Sequence, residues 1–270
     1  MASIPGRVPA ISAHRGGGEY GTGETYQAYL NATAAGADYV EFDVRRTADG
    51  VLVALHEARA GPGRPVTSVS YSQLCELTGH EVPRIAEVMR LLAGRAAAHV
   101  DLKDAGCAAA ALRLGLELLG PAGMIVTTGD RAVLESVKRQ FPAVPAGLSI
   151  GGGLARAVRR SVAPLRKTAL SRAELAALGM ADWAAIHHRL ARAEVLAQCQ
   201  RRGIKTMVWT VNADRALARW MAAPGVDALV TDRPARAVML RAQQLGRQPE
   251  SPRRASRGPG GGAKAARRDL

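Results

Sequence analysis

Aromatic side chains are scarce: the 270-residue chain has two Phe and three Trp. A core must therefore be built mainly from Ala, Val, Leu and Ile. Cysteine is scarce as well. Cys75, Cys107 and Cys199 are scattered, odd in number and form no CxxC pair. That argues against a disulfide framework or a zinc knuckle and fits a reducing compartment. No run of about 18 apolar residues occurs, and the opening "MASIPGRVPAISAHRG" has no apolar stretch of signal-peptide length. These absences predict a cytoplasmic protein that does not span a membrane. Acids are the minority charge, 23 against 37 Lys and Arg, for a net +14. Seven basic residues against two acids fall in residues 247–270, yet the body is basic too. A basic body suits an anionic substrate or a phosphate-rich surface. Arg-rich composition and a solvated face would account for the same charge.

What is present is an alternation. Strand-like runs are expected at 9–16, 39–45, 97–103, 123–129, 145–151, 183–188, 204–211 and 228–234. Helical stretches fall between them, at about 25–35, 84–93, 106–119, 131–140, 171–179, 191–202, 213–223 and 235–245. Such alternation means a parallel sheet covered by helices, and eight units predict a closed (β/α)8 TIM barrel; a doubly wound open sheet is the second reading. The barrel is expected over residues 1–246. The tail, 247–270, is rich in Pro, Gly, Arg and Ser with almost no apolar residues, and is expected to be disordered. Residues 58–83 read as a small irregular insertion after the second strand, with one short helix near 71–77.

The stretch "ADYVEFDVRR" carries the first chemical signal. Glu41 and Asp43 lie one residue apart on a β-like run, so both side chains share one face. "HVDLK" repeats the pattern with Asp101 and Lys103 on the next expected barrel strand. Barrels place active sites at the C-terminal rim of the strands. Three carboxylates converging there repel unless a cation lies between them, and an all-oxygen set selects a hard ion, Mg²⁺ or Ca²⁺. The alternative is a buried salt-bridge cluster of Glu41 or Asp43 with Lys103 and Arg45.

Two histidines are expected at the same place. His14 ends the first strand, before a Gly-rich turn. His56 returns on a hairpin whose turn signal is Asp49-Gly50. A two-residue turn there sets Asp43 opposite His56. Imidazoles beside a metal can serve as general acid and base. Arg15 and Lys103 would meet phosphate oxygens, although Arg15 could equally pair with Glu24 or Glu41. Other signals are weaker. "SIGGGLARAV" (149–158) reads as a turn, His187 and His188 end a strand with at most one facing the barrel mouth, and Asn212 reads as a helix N-cap.

The run from "AHRGGGEYGTGETYQAYLNATAAGADYVEFDVRRTADGVLVALHE" through "VPRIAEVM", "VDLK", "VWTVNA" and "GVDALVTDRP" resembles the glycerophosphodiester phosphodiesterase family over about residues 9–240. The resemblance implies a β/α barrel with a small insertion. It implies hydrolysis of small-molecule glycerophosphodiesters to glycerol 3-phosphate and an alcohol with a divalent cation, Mg²⁺ or Ca²⁺. It also implies catalytic roles for His14 and His56 and metal ligation by Glu41 and Asp43. Asp101 stands where the family usually has Glu, Lys103 matches its lysine, Trp209 an aromatic wall beside the substrate, and Glu24 the Glu of a Pro-Glu-Asn-Thr box, here "GTGET". Two rival readings are a lysophospholipase D or sphingomyelinase D-like activity on lipid head groups, and an inactive barrel binding anionic partners through its tail. No specific nucleic acid is expected; weak association of the tail with an anionic membrane surface is.

Overall fold

The structure, a computed structural model, describes residues 8–246 apart from 20, 62, 152–175 and 177. Most of the expected helix at 171–179, most of the Gly-rich 149–158 turn and the basic tail with its expected disorder and membrane association lie outside the described residues.

Eight parallel strands close on themselves. They are β1 (Ala10–Ala13), β2 (Tyr39–Arg46), β6 (Ala97–Leu102), β7 (Met124–Thr128), β8 (Ala146–Ile150), β9 (Trp183–His187), β10 (Lys205–Trp209) and β11 (Ala228–Thr231). Each pairs with the next in this order, and β1 pairs with both β11 and β2, which shuts the barrel. The predicted closed TIM barrel is thus borne out, and the open sheet is not. Between the strands run α1 (Tyr26–Ala34), α3 (Ile85–Leu92), α4 (Ala105–Leu119), α5 (Arg131–Gln140), α6 (Ala193–Gln200), α7 (Asp214–Met221) and α8 (Pro234–Gln244). Three of these helices start where a side chain receives an orphan backbone N–H group. Thr25 caps α1, Asp104 caps α4 and Asp130 caps α5. Among the described residues no helix is long and apolar enough to cross a membrane.

Strand alternation divides the core in two. Val40, Phe42, Val44, Val100 and Leu102 face outward and pack with helix residues such as Met89 and Leu112. The opposite face of the same strands lines the barrel, where Ile125, Trp183, Ala185, Met207, Ala228 and Val230 form a second cluster. Space for Trp183 comes from Gly147 on the neighbouring strand: a Cβ there would lie 2.6 Å from the Trp183 carbonyl oxygen and 2.7 Å from its Cβ. At the N-terminal end of the barrel three aspartates tie strands together. The N–H groups of Ile11, Ala146 and Thr206 donate to Asp38, Asp182 and Asp227 at 2.7–2.8 Å. These bonds brace the barrel at the rim opposite the C-terminal ends of its strands.

The insertion follows the hairpin of β2 with β3 (Leu52–Ala54). It contains β4 (Arg59–Ala60), β5 (Arg64–Pro65) and α2 (Tyr71–Thr78), and packs its own small core of Val53, Leu55, Val66, Val69, Leu74 and Val82. The hairpin register differs from expectation by one residue. Val44 pairs with Ala54 and Arg46 with Leu52, so Leu55, not His56, stands opposite Asp43. The loop holds three residues, Ala48 to Gly50. Gly50 N–H donates to Thr47 O at 3.0 Å, and Gly50 adopts φ 86°. This is a tight turn followed by a left-handed glycine. The Thr47 hydroxyl selects it by donating to Asp49 Oδ1 at 2.5 Å and accepting from Val51 N–H at 3.0 Å.

Candidate active site

The carboxylates converge as the strand pattern requires. Asp43 on β2 is the parallel register partner of Asp101 on β6, and Glu41 lies one pleat below Asp43. Glu41 and Asp43 are buried. One oxygen from each of Glu41, Asp43 and Asp101 lies within 4.8 Å of the others. This acidic group could hold a metal ion. A second grouping, Glu24, Asp43 and His56, meets the same geometric condition and shares Asp43.

Cations already thread the cluster. Lys103 Nζ lies 2.7 Å from Asp43 Oδ1 and also donates to Asp101. Arg15 Nε lies 3.2 Å from Asp43 Oδ2 and 3.6 Å from Glu24 Oε1. The salt-bridge alternative is therefore partly realised for Lys103, but Arg45 takes no part in it. Four carboxylates, Glu24, Glu41, Asp43 and Asp101, face two permanent cations. The excess of two negative charges in a buried all-oxygen setting is what a hard divalent cation would neutralise. The proton affinities register the same excess. Burial, with the neighbouring Asp43 and Asp101 charges, pushes the Glu41 carboxyl well above the usual range. Burial and Asp43 push Glu24 up to about 7, and burial raises Asp101. Asp43 goes the other way. Burial acts to raise it, but the hydrogen bond from His56 and the Lys103 charge prevail and hold it well below the carboxylate range.

His14 sits in the turn directly after β1. Arg15, the next residue, has φ 53°, and Glu24 has φ 61°. Side chains rarely tolerate this left-handed backbone, which costs about 1–3 kcal/mol per residue and clusters at functional sites. Two hydrogen bonds hold it: Arg15 N–H to Glu41 Oε2 at 2.7 Å and Glu24 N–H to Arg15 O at 2.9 Å. His14 Nδ1 lies 2.6 Å from Asp232 Oδ1. His56 Nδ1 lies 2.8 Å from Asp43 Oδ2. His56 reaches Asp43 despite the shifted register because β3 ends at Ala54, so the chain is free to turn. Arg45 then grips the turned backbone, donating from Nε at 3.1 Å and Nη2 at 2.8 Å to the His56 carbonyl. In both histidines a carboxylate accepts from Nδ1, which leaves Nε2 as the nitrogen that can take or give a proton.

Asp232 was not singled out by sequence reasoning. It lies in "TDRP" just after β11, and the Asp that ends a strand pointing inward was the available signal. Asn212, expected as an N-cap, is not one. Ala213 holds the cap position of α7 without a side-chain bond. The Asn212 amide instead serves Asp232: its Nδ2 donates to Asp232 Oδ2, and its Oδ1 accepts from Asp232 N–H at 2.9 Å. Trp209 ends β10 and meets the His187 ring edge to face at a centroid distance of 5.0 Å, with His188 4.4 Å beyond. Trp209 Nε1 and His188 Nδ1 are buried without a hydrogen-bond partner. Burial pushes His187 down to about 4.

Residues 14–236 match the model of the Glycerophosphoryl diester phosphodiesterase family. A glycerophosphodiester phosphodiesterase of Caldanaerobacter subterraneus subsp. tengcongensis is 24% identical over 245 residues, covering 83% of this chain and 94% of that protein. Among solved structures, a glycerophosphodiester phosphodiesterase of Parabacteroides distasonis superposes with a TM-score of 0.71 at 20% identity, over 88% of this chain and 100% of the other. An Oleispira antarctica phosphodiesterase in complex with the product sn-glycerol-3-phosphate gives 0.67 at 18% identity, over 86% and 96%. Such structural likeness speaks for the shared barrel, while the family match spans the strands and turns that carry the acids and both histidines. The chain belongs to the glycerophosphoryl diester phosphodiesterase family, a family of phosphoric diester hydrolases.

Proposed function

We propose that the chain hydrolyses glycerophosphodiesters, such as glycerophosphocholine, to glycerol 3-phosphate and an alcohol, and that it needs a divalent cation, Mg²⁺ or Ca²⁺. The observation that carries this reading is the pairing of an acid-rich cluster, short of two positive charges, with two histidines whose Nδ1 atoms are pinned by carboxylates. The glycerol 3-phosphate complex of the Oleispira antarctica relative supports the product. Glu41, Asp43 and Asp101 would hold the cation. Bound there, a divalent cation supplies a Lewis acid for a phosphoryl oxygen.

The residues of the chain divide the remaining work. One histidine accepts the proton of the attacking oxygen through Nε2, and the other delivers a proton to the leaving alkoxide. Asp232 and Asp43 keep each ring in the tautomer that makes this exchange work. Lys103 and Arg15 stabilise charge building on the phosphoryl oxygens. Trp209 walls the substrate at the barrel mouth. The attacking oxygen is that of water or of the substrate's own 2-hydroxyl; both routes use the same pair of imidazoles. The test is a panel of glycerophosphodiesters assayed for glycerol 3-phosphate release, with and without EDTA. Release that EDTA abolishes is expected. Absence of release from every member of the panel would overturn the reading.

A further inference from the structure

Beneath the acids a file of hydrogen-bonded polar side chains crosses the barrel interior. Ser12 on β1, His99 on β6 and Thr127 on β7 are all buried. Ser12 Oγ lies 3.0 Å from His99 Nδ1, His99 Nε2 lies 3.0 Å from Thr127 Oγ1, and Thr127 Oγ1 lies 2.6 Å from Asp101 Oδ1. The strands impose this order. Asp101 is the register partner of both Asp43 and Thr127, and His99 is the partner of Glu41 one pleat lower.

Counting hydrogens gives the file a direction. Thr127 has a single hydroxyl hydrogen, and an ionised carboxylate can only accept. That hydrogen therefore goes to Asp101, and toward His99 the Thr127 oxygen can only accept. His99 must then carry its proton on Nε2. The bare Nδ1 of a neutral ring needs a donor, which the Ser12 hydroxyl supplies. Every member is satisfied, and each bond polarises the next toward Asp101. Burying an imidazole and two hydroxyls costs free energy that an apolar filling would avoid. The file also ends on one oxygen of Asp101 alone, leaving Oδ2 to the cluster and Lys103.

We infer that His99 and Thr127 are positioning residues for Asp101: the file clamps one carboxylate oxygen so that the other is presented to the acid cluster, and so sets the affinity of the site for a divalent cation. This rests on the metal-dependent reading above. Groups that orient a metal ligand from behind are worth about 10–100-fold in metal affinity.

The test uses the full chain stripped with EDTA and titrated with Mg²⁺ and Ca²⁺ by calorimetry. Thr127→Val removes the hydroxyl at nearly constant volume, and Thr127→Ser keeps it. His99→Leu removes the donor, and His99→Gln keeps an N–H. Binding about tenfold or more weaker is expected for Thr127→Val and His99→Leu, with Thr127→Ser and His99→Gln close to the parent chain. Long-range proton–nitrogen NMR of the stripped protein should show His99 protonated at Nε2. Unchanged cation affinity in Thr127→Val, with only a lower Tm, would reduce the file to packing and overturn the inference. A His99 ring protonated at Nδ1 alone would overturn it as well. If His99→Leu fails to fold, the Thr127 pair decides. A parent chain that binds neither cation would overturn the metal-dependent reading and this inference together; a parent that binds while the variants bind equally overturns only the inference.

Discussion

Replacing Asp232 by Asn keeps shape and removes charge, and the surrounding hydrogen bonds dictate which way the new amide must point. Asn212 Oδ1 is fixed as an acceptor by Asp232 N–H at 2.9 Å and by the Thr231 hydroxyl at 3.2 Å. Its Nδ2 must therefore donate toward position 232, as it does now. In Asp232→Asn the side-chain oxygen would face Asn212, and the NH₂ would face His14 Nδ1. An N–H opposite Nδ1 forces the ring proton onto Nε2, the wrong tautomer for its task. The loss expected for a misassigned catalytic imidazole is about 10²–10⁴-fold in kcat, or roughly 3–5 kcal/mol of barrier. The assay is steady-state glycerol 3-phosphate release, with Tm and circular dichroism to show the barrel intact. A second variant sharpens the test. In Asp232→Asn/Asn212→Asp the new carboxylate at 212 only accepts, so the amide at 232 turns its NH₂ inward and its oxygen to His14. Turnover should partly return. A single variant with parental kcat, or a double variant no better than the single, would refute the argument from tautomer control.

Four further outcomes follow from the same geometry. His14→Ala or His56→Ala should lower kcat by at least about a hundredfold with unchanged circular dichroism, and near-parental turnover in either would break the proposed pairing. Cation affinity should rise as pH climbs above the ordinary carboxylate range, with proton release on binding, because Glu41 is held well above that range and must ionise to ligate; calorimetry in buffers of different ionisation heat reads this, and a pH-independent affinity would contradict it. The same raised carboxyls make the EDTA-stripped protein lose stability as pH climbs. Glu24 moves from 4.5 to about 7, so its contribution is present below 4.5 and gone above 7, which Tm against pH should show. Gly147→Ala would drive a methyl to 2.6 Å from the Trp183 carbonyl oxygen, and a destabilisation of about 1–3 kcal/mol is expected in urea unfolding.

The sequence was most legible where one physical rule acted alone. Each barrel strand is a short apolar run bounded by turn residues, so Tyr39–Arg46 and Ala97–Leu102 could be read within a residue or so. Period-two alternation then placed Glu41, Asp43 and Asp101 on one face. Legibility failed where side chains overrule the local pattern. The Asp49-Gly50 signal promised a two-residue turn, but the Thr47 hydroxyl stabilises a three-residue loop and shifts the register by one. Asn212 looks like a cap only until Asp232, twenty residues on, claims its amide. Asp232 itself meets His14 from the far end of the chain through barrel closure, a contact no local spacing encodes. His99 sits mid-strand among apolar neighbours and gains meaning only from Ser12 and Thr127 on the adjoining strands.

In the proposed function the acid cluster between the two histidines works with a divalent cation to cleave glycerophosphodiesters. The most direct measurement of this is the initial rate of glycerol 3-phosphate release by the EDTA-stripped chain as Mg²⁺ or Ca²⁺ is titrated back. A rate near zero that rises and saturates with added cation is the predicted result. Full turnover in excess EDTA, or none at any cation concentration, would contradict it.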